Sequence, residues 1–341
     1  MYQNGGGAAV YLCCMTEQGK ALKAIGWGVG ASLFLSSTFI INSLIAGSGG
    51  YWAWTAALRS LFLIPILGLV VAFTKQLKPL LAALRQHPGV FIKWGTIGFG
   101  FLYTLLAVAS LLSPGWMVAA TFQVNILAGM LLAPFIYPDH RKAVPRKALL
   151  LSLIIIAGVF VMQLEKLDQL DSGATVLLSF LLVLLGAIVW PLGNRKLLVD
   201  LEQKGVQLNA LQRVLGMSIG CLPLLIVLCG LGFVQSGLPS MAQCQASLWS
   251  ALFSGFLGGV GFYQATQMVN RNPVALSTIE ATQVFEILFT LLGEMILKGT
   301  PFPGVYGQLG LLIVLVGMLL HFRNTWNHSK TISLPLLARA A

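Results

Sequence analysis

Ten runs of about 20 hydrophobic residues follow one another along this chain with only short polar connections, which constrains the fold more than any other feature. A bilayer's hydrocarbon core is roughly 30 Å thick, and a helix rising about 1.5 Å per residue crosses it in about 20 residues. The runs lie near 25–46, 52–73, 91–112, 115–137, 147–164, 174–194, 211–234, 247–269, 274–297 and 305–322. Soluble domains carry roughly a quarter charged residues. This 341-residue chain has 9% charged and 57% hydrophobic residues, so the runs read as membrane spans. With no water in the bilayer core, each span has to satisfy its own backbone, which runs of this length do as helices. The expected fold is an all-α membrane protein of ten transmembrane helices, with no connection long enough for a separate soluble domain.

The basic residues orient the bundle. Counted on alternate sides of the spans, 17 of the 21 Lys and Arg fall on one side, among them Lys20, Lys23, Arg141, Arg195, Arg271 and Arg323. Lys166 and Lys298 fall on the other, and Arg59 and Arg213 lie within spans. By the positive-inside rule the basic side is cytoplasmic, so both termini are expected there. The net charge of +11 therefore reports topology and not a nucleic-acid partner. Residues 1–24 read as a cytoplasmic N-terminal segment with no basic stretch before an apolar core, Met15 being a second candidate start, and 323–341 read as a cytoplasmic tail. The cysteines Cys13, Cys14, Cys221, Cys229 and Cys244 have no metal-ligand spacing. His87, His140, His321 and His328 are placed in cytoplasmic loops or the tail, which leaves no histidine relay across the bundle.

The chain repeats itself. At an offset of 160, Gly95, Gly98, Tyr103, Gln123, Val124, Leu131 and Leu132 recur as Gly255, Gly258, Tyr263, Gln283, Val284, Leu291 and Leu292. Spans one to five (25–164) thus mirror spans six to ten (174–322). Five is odd, so the second half enters from the opposite side, and the expected architecture is two inverted five-helix repeats. Inverted repeats are typical of secondary transporters, with the substrate site near the midplane where the halves meet.

Further motifs carry a resemblance. Arg59 in "AALRSLFLIP", Pro273 at the start of span nine and "LLGEMILKG" at 291–299 before span ten resemble the drug/metabolite transporter superfamily of EamA-like ten-helix type. The carboxylate-rich ninth span is similar to its multidrug resistance efflux branch. The resemblance covers residues 25 to 322. It implies export of a small organic, drug-like solute across a bacterial inner membrane, with spans 1, 3, 4, 6, 8 and 9 walling a central cavity. One departure is that Pro134 stands where the second half has Glu294.

Span nine, "STIEATQVFEILFTLLGE" at 277–294, holds three of the ten acidic residues. At about 100° per residue, Glu280, Gln283, Glu286, Thr290 and Glu294 fall within an arc of about 120°. Ionisable groups in spans face the bundle interior or a wet cavity. At about 1.5 Å per residue Glu280 lies roughly 9 Å into the helix, Glu286 roughly 18 Å and Glu294 roughly 30 Å. Glu286 and Glu280 are therefore the candidates for binding a proton or a cationic solute in alternation. Glu294 reads as structural, with Arg59 as its candidate partner. Arg213, a few residues into span seven, reads as snorkelling to the interface.

Polar residues of other spans complete the candidate set: Gln123, Asn125, Tyr103, Tyr263 and Trp190 beside Gln283, supplemented by Thr38, Asn42, Asn194, Gln264 and Gln267. Trp and Tyr can hold an organic cation through their ring faces. Trp190-Pro191 predicts a kink in span six. "GMSIG" at 216–220 lacks the strand and His that a nucleophile elbow needs. "GFLGGVG" at 255–261 follows no strand and reads as close helix packing. The sequon at 327–329 falls on the tail. With no Walker motif, no metal site and no cofactor, the expected partners are a small organic solute, protons and the lipid bilayer, and a homodimer is left open. The rival readings are a metabolite exporter or facilitator with structural carboxylates and, in another class, an intramembrane enzyme or a non-transporting scaffold.

Overall fold

The computed structural model describes residues 5–168 and 173–338, and the side chains of 19–20, 22–165 and 173–324. Met1, Cys13, Cys14, Met15, Lys166, the sequon at 327–329, His328, Lys330 and Arg339 lie outside the described side chains. Among the described residues the fold is all-helical. We number the helical spans α1 (Leu22–Gly47), α2 (Trp52–Phe73), α3 (Pro88–Ala109), α4 (Gly115–Ile136), α5 (Arg146–Glu165) and α6 (Gly173–Gln203). The others are α7 (Ala210–Gly220 and Leu222–Ser236), α8 (241–269), α9 (Pro273–Lys298) and α10 (Val305–Asn324).

Eight described helices are long and apolar enough to cross a membrane, and α7, bent by 49° between its two pieces, makes a ninth if counted as one span. The expected stretch 247–269 is helical throughout, as Met241–Ser250, Ala251–Val260 and Gly261–Val269 in succession. Side chains such as Phe73, Phe135, Val234 and Ile296 point outward, as lipid-facing residues do.

Two boundaries differ from expectation. The helix of α6 continues through Pro191 to Gln203, beyond the expected end of span six at 194, and so carries Arg195 into the bundle. His321, expected at the tail, is fully buried in α10 and bonds through Nε2 to the Ser152 hydroxyl of α5 at 3.0 Å.

The packing pairs the two halves. Helix α1 lies on α8 and α9, and α6 lies on α3 and α4; α2 packs on α7, and α5 on α10. Each half thus lends its first helix to the other. Backbone irregularities follow the same rule. α3 is wound as a π-helix over Thr96–Phe101, and α8 over Ala251–Val260. α4 is interrupted at Gln123, and α9 tightens to a 3-10 turn at Thr282–Val284, around Gln283. Departures of this kind recur at functional sites.

Small residues allow the exchanged helices to approach, because in lipid it is close packing that holds helices together. A Cβ added at Gly98 of α3 would meet the Gly193 Cα of α6 at 3.1 Å, and one at Gly193 would collide with Gly98. A Cβ added at the repeat-mate Gly258 would meet the Leu35 backbone nitrogen of α1 at 2.8 Å, where α8 takes the place of α3. Gly98→Leu or Gly193→Leu is therefore expected to abolish a monodisperse folded peak in detergent size-exclusion chromatography. Gly186→Ala, whose added Cβ meets nothing nearer than 3.5 Å, should leave that peak intact.

Candidate functional site

The polar arc of α9 is buried from end to end, with Glu280, Gln283, Glu286, Thr290 and Glu294 all shielded. The three carboxylates have three different environments.

Glu294 is saturated. Its Oε1 accepts from the Ser43 hydroxyl at 2.5 Å and the Gly115 amide at 3.0 Å, and its Oε2 from the Trp116 amide at 2.9 Å. Lys298, one turn on, lies 3.4 Å away and also donates to Ser43. A carboxylate on the first amides of α4 satisfies donors that have no partner within the helix and sits at the positive end of its dipole. Glu165 does the same for α10, accepting from Gly304 and Gly307. The expected Arg59–Glu294 pair does not form: the N-terminus of α4, Ser43 and Lys298 hold the carboxylate instead. Glu294→Gln should lower stability by about 1–3 kcal/mol, the scale for leaving buried donors poorly matched. Thermal unfolding in detergent reads this, and transport per folded molecule should be retained.

Glu280 is paired with Arg195 of α6, whose other terminal nitrogen donates to the Gly129 carbonyl of α4. Both side chains are buried. Expected in a cytoplasmic loop, Arg195 is instead the partner that Glu280 lacked in the sequence. Near it, Arg141 bridges Asp139 at 2.7 Å and Glu202 of α6 at 2.6 Å. Its hydrogen bonds hold the Asp139 carboxyl down to about 2, so that contact is intact at neutral pH and is lost only as pH falls toward 2.

Glu286 stands apart. It is 1% exposed, no cation pairs with it among the described residues, and its Oε1 has no hydrogen-bond partner. It lines a cavity with Thr38, Tyr103, Phe122, Trp190 and Ser254.

Two arginines occupy equivalent places in the halves. The Arg59 guanidinium of α2 lies 3.7 Å from the centre of the Tyr103 ring and donates to Ser254 at 3.1 Å, Ser254 being bonded in turn to Thr38. The Arg213 guanidinium of α7 lies 5.0 Å from the centre of the Tyr263 ring, the repeat-mate of Tyr103, and donates to the Tyr263 carbonyl at 3.3 Å. Arg213 is buried and does not snorkel. Among the described residues no carboxylate pairs with either arginine. Between them, Trp190 stacks on Phe99 at 5.8 Å and meets Tyr263 edge-on at 5.9 Å.

A second cavity is lined by Asn125, Trp190, Arg213, Gln267, Glu280 and Gln283 among others. It adjoins the first at Trp190 and Gln283, which line both. Of the residues expected in a site, Glu286, Glu280, Gln283, Asn125, Tyr103 and Trp190 thus come together. Tyr263 stands behind the wall, its hydroxyl on the Met217 sulfur at 3.1 Å. Gln123 bonds back to the Ala119 carbonyl and lines neither cavity. Gln264 is exposed on the outer face. The sequence reading missed Arg195, Arg213 and Ser254. An Arg within five residues of a span's apparent end was the available signal for the first two.

A bundle with polar cavities enclosed among its spans, bounded by buried charges, defines a multi-pass membrane transporter. The chain belongs to the EmrE family, "Putative multidrug resistance efflux transporter", whose model matches residues 22–327, within the drug/metabolite transporter superfamily. It is 40% identical over 309 residues to the uncharacterized protein YjlA of Bacillus subtilis, covering 88% of this chain and 94% of that protein. It is 33% identical over 272 residues to an uncharacterized 42.1 kDa protein of Shouchella clausii, covering 78% and 70%. A solved crystal structure matches with TM-score 0.60 at 15% identity, over 88% of this chain and 98% of that one, which concerns the fold alone.

Proposed function

We propose that this transporter is a secondary active exporter that moves small organic solutes bearing a cationic group out of a bacterial cytoplasm in exchange for protons. It would lie in the inner membrane with both termini cytoplasmic, and 25–164 and 174–322 would act as inverted five-helix repeats. The observation that carries this reading is Glu286, a buried carboxylate with an unpartnered oxygen facing a cavity with aromatic walls. A charge in the bilayer interior without a partner marks a site that binds something in turn. Glu286 holds a proton in one half of the cycle and the solute's cationic group in the other, and Trp190 and Tyr103 offer ring faces to the solute. Glu280 is removed from the exchanging role, because Arg195 already compensates it.

Purified protein in liposomes with an imposed pH gradient provides the test. A panel of aromatic amines and quaternary ammonium compounds should include solutes that release protons across the membrane as they move. Solute movement with no accompanying proton flux would sink the coupling and leave a facilitator.

A further inference from the structure

We infer that the cavity lined by Arg213 and Trp190 is a carboxylate-binding subsite built around Arg213, and that the solute is amphoteric, an amino acid-like molecule carrying a carboxylate as well as a cationic group. The inference deepens the exporter reading and rests on it for the role of Glu286.

The charge balance points this way. Of the three arginines buried in the bundle, Arg195 is compensated by Glu280, whereas Arg59 and Arg213 each lean on a tyrosine ring with no carboxylate; Arg59, with Nε and Nη1 unpartnered, lines neither cavity, and Arg213 lines one. Arg213 is 3% exposed and lines the cavity; its Nε has no partner, and its one described hydrogen bond to a neutral group is a 3.3 Å contact with a carbonyl. Removing a guanidinium from water is costly unless an anion or good acceptors replace the solvent. A ligand carboxylate, which arginine binds through two parallel hydrogen bonds, supplies both.

The rest of the lining sets the ligand's other features. Asn125, 2% exposed, has its Nδ2 without a partner and can donate to the same carboxylate. Against these donors stand three acceptors without partners, the Oε1 atoms of Gln267 and Gln283 and the Oε2 of Glu280, suited to an ammonium group. Trp190 and Phe262 add an apolar wall for a side chain, which an inorganic anion would not need. A wholly cationic solute would leave Arg213 uncompensated and bring a like charge into its cavity. Gln283 lines both this cavity and that of Glu286, so an ammonium held at Gln283 would lie on the wall that the two share.

The test uses purified full-length protein and three matched probes: phenylalanine, its methyl ester with the carboxylate masked, and N-acetylphenylalanine with the amine masked. The same trios of leucine and histidine extend the range of side chains. Affinity is read from ligand-dependent thermal stabilisation. At least one free amino acid should bind about tenfold or more tightly than its ester, and Arg213→Gln should remove that preference. Arg213→Lys should retain part of it as a point charge. Asn125→Asp, which places a competing carboxylate in the cavity and keeps the guanidinium, should weaken the acid and spare the ester, and decides the matter if Arg213→Gln does not fold. Esters that bind as tightly as the acids, an acid unaffected by both variants, or no binding by any carboxylate-bearing probe would overturn the inference. Ester binding lost only in Glu286→Gln would overturn it while leaving the exporter reading intact. Acid binding that depends on Arg213, with no proton flux in liposomes, would sustain the subsite and sink the coupling.

Discussion

Replacing Glu286 by Gln should reduce proton-coupled solute movement in liposomes to the level of protein-free vesicles, while the protein stays folded and at least as heat-stable as the parent. Glu286 is isosteric with Gln, and no ion pair is lost by the change, since none is present among the described residues. What is removed is a buried group with an unsatisfied oxygen, and such groups sit in the molecule at a cost in stability that function repays. A rise or no change in the thermal midpoint together with lost transport would mark the carboxylate as an exchanging group. Lost transport with a fall of several degrees would instead mark a structural element, and retained proton flux would exclude Glu286 from the coupling path.

The Arg195–Glu280 pair should respond in the opposite sense. Arg195→Ala leaves the Glu280 carboxylate buried beside the Gly129 carbonyl with nothing to compensate it, and a loss of roughly 3–5 kcal/mol is the scale for removing one partner of a buried pair. Glu280→Leu combined with Arg195→Met replaces both charges with apolar volume and should recover most of the stability, since a buried pair and a well-packed apolar contact are often close in energy. Thermal unfolding in detergent distinguishes the two. Equal losses in the single and double variants would mean that the ion pair is not what holds α6 against α4 and α9 at that level. Because Arg195 and Glu280 also line the cavity of Arg213, the double variant further reports whether solute needs this pair once the protein is folded.

The spans were legible in the sequence because lipid imposes a length and a polarity on each. The burial of the α9 arc was legible for the same reason. The partners were not. Counting basic residues by side assigns a charge near a span's end to water, whereas α6 runs nine residues beyond its apolar stretch and turns Arg195 inward. Arg213, whose place near the start of span seven suggests snorkelling, and His321, next to the expected tail, are likewise buried. The Arg59–Glu294 pairing was inferred from similar depth alone, and depth does not report which helices are neighbours. The amides of Gly115 and Trp116, which hold Glu294, are backbone groups and leave no trace in side-chain patterning.

The exchange of first helices between the halves also bears on how the chain is made. Helix α1 packs along most of its length on α8 and α9, with its outer end also on α4, and the first residue of α8 follows the last of α1 by nearly 200 positions. At a synthesis rate of about 5–20 residues per second, α1 stays in the membrane for roughly 10–40 s before α8 begins to be made. During that interval its inward face, with Ser32, Thr38, Asn42 and Ser43, has no native contacts in α8 or α9 to shelter it from lipid or the insertion machinery. A chain halted midway would thus hold α1 with its α4 contacts made and those to α8 and α9 still missing, leaving Ser32 without the Thr282 carbonyl that it bonds in the complete fold.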